Sequence, residues 1–199
     1  MHGLQASCRY CDIDQHEPTV HASEALTAVP SVGSLLEGWI IAFPRQHVLA
    51  LSELSPTQWA AYLSELKEVR AAVSDRYGET VLFEHGSAGS ARLAGCGVDH
   101  AHMHIVPIDL DIRSALATMN DVVDELEWTH ADGQVPNKAG QDYLYVEDRS
   151  GAWVAYSDSL PGQTVRRAIA RAVGAREWDW KANPNRELMA NTLSRMRAA

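Results

Sequence analysis

An α+β fold is predicted for this chain by three features of its sequence: short Val-, Ile- and Trp-rich runs broken by Pro and Gly, one long segment with apolar residues at three- and four-residue steps, and a run of alternating histidines. The 199 residues suffice for one domain with an appendage, and a hydrophobic content of 46% is enough to bury a core. Seventeen basic residues stand against 26 acidic ones, for a net charge of −9, which argues against nucleic acid or an anionic membrane as partner. The longest apolar run, Trp39 to Phe43, is far short of the roughly 18 residues of a membrane helix. No signal-peptide pattern opens the chain, so a cytoplasmic location is expected. Of the three cysteines, Cys8 and Cys11 form a C-x-x-C, which in such a compartment favours metal binding or redox chemistry over a structural disulfide.

Taken in order, residues 25–51 read as a meander of strands punctuated by Pro30, Gly33, Gly38 and Pro44. Ser55-Pro56 supplies an N-cap and a first-turn proline, and Trp59, Tyr62, Leu63, Leu66, Val69, Ala72 and Val73 carry a helix to Tyr77-Gly78. Residues 80–84 read as a strand, 86–97 as a Gly-, Ser- and Ala-rich loop, and 98–108 as a second strand. Beyond a boundary near residue 112, a helix is expected over 112–129, a hairpin over 143–156 turning at Ser150-Gly151, a helix over 165–173, and a helical tail over 178–197. Two units follow, a catalytic one at 1–111 and a C-terminal extension at 112–199 packed on it.

The sharpest feature is Asp99-His100-Ala101-His102-Met103-His104-Ile105-Val106-Pro107. Period-two alternation places the imidazoles on one face, about 6.6 Å apart at the backbone for a rise of about 3.3 Å per residue, with Ala101, Met103 and Ile105 on the other. A neutral imidazole carries a lone pair suited to attack at phosphorus, provided its second nitrogen is held as a donor. The glycines of the preceding loop, Gly86, Gly89, Gly95 and Gly97, can turn backbone N–H groups towards an anion without lysines. Three alternating histidines also fit a metal site, or a merely polar face.

These residues resemble the histidine triad (HIT) superfamily of nucleotide hydrolases and nucleotidyl transferases, marked by His-φ-His-φ-His-φ-φ with φ apolar. The resemblance extends through Leu82-Phe83-Glu84-His85-Gly86, Pro30-Ser-Val-Gly and Gly38-Trp-Ile-Ile-Ala-Phe-Pro44-Arg-Gln-His47-Val, and covers residues 8–110, about half the chain. Cys8-Arg-Tyr-Cys11 and the C-terminal segment are similar to a zinc-containing bacterial branch. An antiparallel sheet with a long helix and a helical and hairpin extension is the fold implied.

By the same resemblance His102 attacks the α-phosphorus of a nucleoside (poly)phosphate, dinucleoside polyphosphate or nucleoside phosphoramidate. A nucleotidyl-histidine forms and a nucleoside monophosphate is released. His104 stabilises the phosphoryl oxygens, His100 counts with these two among the catalytic residues, and Glu84, His85, Gly86, Gly95 and Gly97 are candidates for substrate binding. Cys8, Cys11, His47 and His100 are the implied ligands of a structural zinc, with no organic cofactor, and a homodimer joined sheet edge to edge is implied as well. A HIT protein that binds or scaffolds without much turnover is the alternative. Many hydrolysing relatives carry Ser or Thr three residues before the first triad histidine, where this chain has Gly97, so Glu84, His85 and Ser90 are candidates for protonating the leaving group. Arg166 and Arg167 read as an exposed basic helix face, with contact to a distal phosphate as the other reading, and Trp178 and Trp180 as core or interface anchors.

Overall fold

The computed structural model describes residues 8–13, 18–87, 99–119, 125–131, 141–157 and 160–198. Eight antiparallel strands form one sheet: β1 (His21–Ala22), β2 (Leu26–Pro30), β3 (Ile40–Pro44), β4 (Thr80–Gly86), β5 (Met103–Pro107), β6 (Trp128–His130), β7 (Asp142–Asp148) and β8 (Gly151–Ser157), in the order β1-β2-β3-β5-β4-β7-β8-β6. Among the described residues four α-helices accompany them: α1 (Pro56–Tyr77), α2 (Ile112–Ala117), α3 (Thr164–Ala172) and α4 (Arg186–Arg197). The expected α+β fold, an antiparallel sheet with a long helix, is the observed one. Among the described residues no helix is long and apolar enough to cross a membrane.

Local chemistry explains the long helix. The Ser55 hydroxyl accepts from Gln58 N–H while the Gln58 side chain accepts from Ser55 N–H, a reciprocal capping box; Pro56 opens the first turn, and Gly78, at φ 92°, ends the last. Tyr62, Leu66, Val69 and Val73 then pack one face of α1 onto the sheet, against Ala28, Ile40, Met103 and Ile105. The β7–β8 hairpin turns where expected, because the Asp148 carboxylate accepts from Ser150 N–H at 2.7 Å and Gly151 takes a φ of 118°.

The opposite face of the sheet is covered by the C-terminal half. Trp39, Val81, Phe83 and Val106 meet Ile112 and Leu116 of α2 and Val165 and Ile169 of α3. Strand β7 pairs with β4 over Leu82–Gly86, so the chain beyond residue 112 continues the same sheet as well as covering it. The outer strands are β1 and β6, where an edge-to-edge dimer would have to join.

Three expected elements need correction, the first being the helical tail expected over 178–197, whose helix begins only at Arg186. The helix expected over 112–129 ends at Ala117, and Trp128–His130 is a strand paired with Ala155–Trp153 of β8. Pairing at a sheet edge and the packing of the His130 ring on Trp153, 5.2 Å between centroids, outweigh the helical spacing there. The strand expected over 98–108 begins at Met103, so of the three histidines only His104 lies on a strand. The preceding segment keeps its alternation, with Ala101 in the core under α1, but bonds to Val48 O through Ala101 N–H instead of joining the ladder.

Candidate active site

His102 and His104 share the sheet face opposite α1, with ring centroids 4.9 Å apart and only 6% and 2% of each residue exposed. Their hydrogen bonds give them opposite tautomers. His102 Nδ1 lies 2.7 Å from the His100 carbonyl oxygen; only a protonated Nδ1 can donate there, which leaves the lone pair on Nε2. His104 Nδ1 accepts from the indole N–H of Trp39 at 3.0 Å, so its proton is on Nε2. Phe83 stacks on the His104 ring at 4.2 Å and Tyr10 meets His102 edge-on at 5.7 Å, which holds both planes. Burial pushes the His102 imidazole down to about 4, and His104 well below its ordinary value, so both rings are neutral at pH 7.

Both histidines open on a small cleft that Arg9, Tyr10, Arg166 and Trp180 also line. Through Val32 and Ile41 it adjoins an apolar cavity of about 250 Å³ between β2 and α4, bounded by Val29, Pro30, Met189 and Leu193. A lone-pair nitrogen, a ring N–H donor and two guanidinium groups thus face one space.

His100 turns elsewhere. Its Nε2 lies 2.8 Å from Pro44 O, which fixes the proton on that nitrogen, and its Nδ1 lies 3.3 Å from Cys8 Sγ and 3.6 Å from Cys11 Sγ. His47 Nδ1 is 3.3 Å from Cys11 Sγ, and all four ligand atoms lie within 4.8 Å of one another. Cys8, Cys11, His47 and His100 form a group that could hold a metal ion. The residues between the two cysteines, Arg9 and Tyr10, reach from this group to the cleft, where Tyr10 stacks on Phe43 at 4.4 Å.

The substrate-binding candidates are placed unequally. His85 is on the same face of β4 as Phe83; its Nε2 is buried with no hydrogen-bond partner among the described residues, and burial pushes the ring down to about 4. Glu84 lies on the opposite face, under Leu51 and Tyr143. Its carboxyl accepts from Leu51 N–H at 2.8 Å and from Tyr143 O–H at 2.6 Å. Gly86 pairs with Tyr143, and a Cβ there would fall inside the Tyr143 ring, so its lack of a side chain is required by packing. Gly95, Gly97 and Ser90 lie outside the described residues.

Burial outweighs both donors at Glu84 and pushes its carboxyl up to about 8. An acid raised in the native state stays protonated while the unfolded chain ionises, so its contribution is complete below about pH 4.5 and is lost as pH rises to about 8. Glu84→Gln, which keeps the shape without the charge, is expected to gain stability relative to wild type over that interval, by at most roughly 5 kcal/mol. Urea unfolding of both proteins from pH 5 to 9 checks this; a stability difference that does not change with pH would contradict it.

The exposed basic face expected at Arg166 and Arg167 is not what folds. Arg166 is only 4% exposed: its guanidinium donates to Gly33 O and to Ser31 Oγ and lies over the Trp39 ring, 4.5 Å from the centroid. Arg167 lies over Trp178 at 4.9 Å. Trp180 packs on the Gly33 turn, as an anchor should, and lines the cleft besides. Arg9 and Tyr10 could have been suspected from their position inside the C-x-x-C, and Trp39 from its strand. Arg166 and Trp180 carry no sequence signal linking them to histidines more than sixty residues away.

No family model matches the chain, and no curated protein is significantly similar to it. Among solved structures it is similar to a member of the HIT family from Bacillus subtilis, at 20% identity over 66% of this chain and 88% of that one, with a TM-score of 0.45. A hypothetical histidine triad nucleotide-binding protein from Sulfolobus tokodaii is 20% identical over 50% of this chain and 68% of its own, with a TM-score of 0.43. A Streptococcus mutans protein is 22% identical over 54% and 69%, with a TM-score of 0.44.

Proposed function

We propose that this chain is a histidine triad enzyme that cleaves at the α-phosphorus of a nucleoside (poly)phosphate, dinucleoside polyphosphate or nucleoside phosphoramidate and releases a nucleoside monophosphate. The reading is carried by the opposed tautomers of His102 and His104 on one cleft. His102 Nε2 offers its lone pair to phosphorus; as the N–P bond forms, the bond to the leaving group breaks and its electron pair departs with that group. His104 Nε2–H donates to a non-bridging oxygen as negative charge grows there. Water or another acceptor then attacks the nucleotidyl-histidine, the P–N bond breaks, and the pair returns to Nε2. The apolar cavity beside the cleft, about 250 Å³, is the seat this reading assigns to the nucleoside.

The same reading assigns a structural zinc ion to Cys8, Cys11, His47 and His100. Two thiolates and two imidazoles are the donor set of a closed tetrahedral site, and zinc bonds of about 2.0–2.3 Å in a tetrahedron set ligand separations of roughly 3.3–3.8 Å. Three of the six separations, 3.3, 3.3 and 3.6 Å, fall in that range, and all six lie within 4.8 Å. Pro44 O, accepting from His100 Nε2–H, is the outer partner that orients a metal-bound imidazole. The ion would tie the N-terminal segment to the catalytic one and takes no part in the reaction.

The direct test is incubation of the purified chain with nucleoside triphosphates, dinucleoside polyphosphates and a nucleoside phosphoramidate, with products separated by chromatography. Release of nucleoside monophosphate is expected from at least one of them. Tight binding of nucleoside monophosphate with no product from any would favour a non-catalytic nucleotide-binding protein instead.

A further inference from the structure

Resting on that reading, we propose that Arg166, carried by α3 in the C-terminal extension, is a catalytic residue that grips the phosphoryl oxygens of the nucleotide facing His102. Its guanidinium lines the cleft with both histidines. Three oxygens hold it in place, Gly33 O, Ser31 Oγ at 3.4 Å and Val32 O at 3.5 Å, all in the turn after β2. Trp39 connects it to the triad, since the same indole carries Arg166 on its face at 4.5 Å and donates its N–H to His104. A guanidinium so fixed loses little rotamer freedom when its positive charge meets an anion in the cleft.

The charge balance points the same way. The chain carries a net charge of −9. Among the described residues that line the cleft there is no carboxylate, and both charged ones, Arg9 and Arg166, are positive. Asp179, the nearby acid on the same extension, feels the Arg166 charge but lies outside the cleft lining, and it accepts from Gln163 Nε2 and from Lys181 N–H, both at 3.0 Å. In an acidic protein, a carboxylate-free cleft holding a buried guanidinium is built to take negative charge. The extension beyond residue 160 is thereby part of the active site: α3 brings Arg166, and the following turn sets Trp180 against Gly33 and closes that side.

The test compares affinities for a nucleoside monophosphate and for the nucleoside without its phosphate, as AMP against adenosine and GMP against guanosine, by calorimetry on the full chain. Wild type is expected to favour the monophosphate by at least about 30-fold. Arg166→Gln should bring that ratio down about tenfold or more while leaving nucleoside affinity unchanged, and should lower kcat/KM by about 10²-fold, as loss of a charge-assisted contact implies. Arg166→Lys, which keeps the charge but loses the fork, should fall in between, and it decides the question if the Gln variant does not fold. A wild-type ratio in the folded Gln variant, or in the Lys variant when only that one folds, overturns the role of Arg166; loss of turnover in His102→Asn would then leave the reaction standing. Wild type that binds none of the four compounds and turns over no nucleotide overturns both.

Discussion

Replacing His102 by asparagine is expected to lower turnover by about 10⁴-fold or more, the cost typical of deleting the nucleophile from a covalent mechanism. Among the described residues lining the cleft no other group offers a comparable lone pair: His104 spends its Nδ1 lone pair on Trp39 N–H, Arg9 and Arg166 are donors only, and a neutral Tyr10 hydroxyl is a far weaker nucleophile than an imidazole. Binding should survive, because asparagine fills part of the same volume and the apolar cavity, Arg166 and His104 are untouched. Nucleoside monophosphate affinity within about threefold of wild type is therefore expected, since the bulk of recognition lies outside the deleted ring. Single turnover with a labelled α-phosphate, quenched in alkali where the P–N bond survives, should trap label on the wild-type chain and none on the variant. Equal rates, or label retained on His102→Asn, would remove this residue from the reaction.

The second large effect concerns the metal group. A bound ion at about 10³ times its dissociation constant contributes about 4 kcal/mol to the folded state. For a chain of this size each kcal/mol is worth about 2–4 °C, so stripping the ion with a strong chelator is expected to lower the melting temperature by about 8–16 °C. Native mass spectrometry should find one zinc per chain in wild type and none in Cys8→Ser, with the melting temperature of that variant insensitive to chelator. Arg9 and Tyr10 sit between the two cysteines and line the cleft, so the stripped protein should also bind nucleotide more weakly. A chain free of zinc as purified, or a melting temperature unmoved by chelation, would dismiss the metal.

Most elements were legible because their signals are local. The capping box at Ser55 and the glycine at 78 bracket α1 by hydrogen bonds within a few residues, and the turn at Asp148–Gly151 sets its own hairpin. The helix expected over 112–129 failed where a long-range partner intervened, since the strand at Trp128–His130 exists only against β8. In the triad, spacing located the residues but not their roles. A common face was expected of all three, yet His100 turns to the cysteines while His102 and His104 face the cleft, and what separates them is which backbone carbonyl or indole each ring meets.

By itself the sequence determined the periodic and contiguous features: the long helix, the alternation that buries Ala101, Met103 and Ile105, the presence of a C-x-x-C and of alternating histidines, and the acidic balance that leaves anion capture to local groups. Only the tertiary structure decided which nitrogen of each imidazole keeps its proton, that Glu84 lies across the sheet from His102, and that Arg166 leaves the solvent for the cleft. The reason is physical. Periodicity is a property of the backbone and is written along the chain, whereas a tautomer, a raised carboxyl and a buried guanidinium each depend on a partner that folding brings from elsewhere.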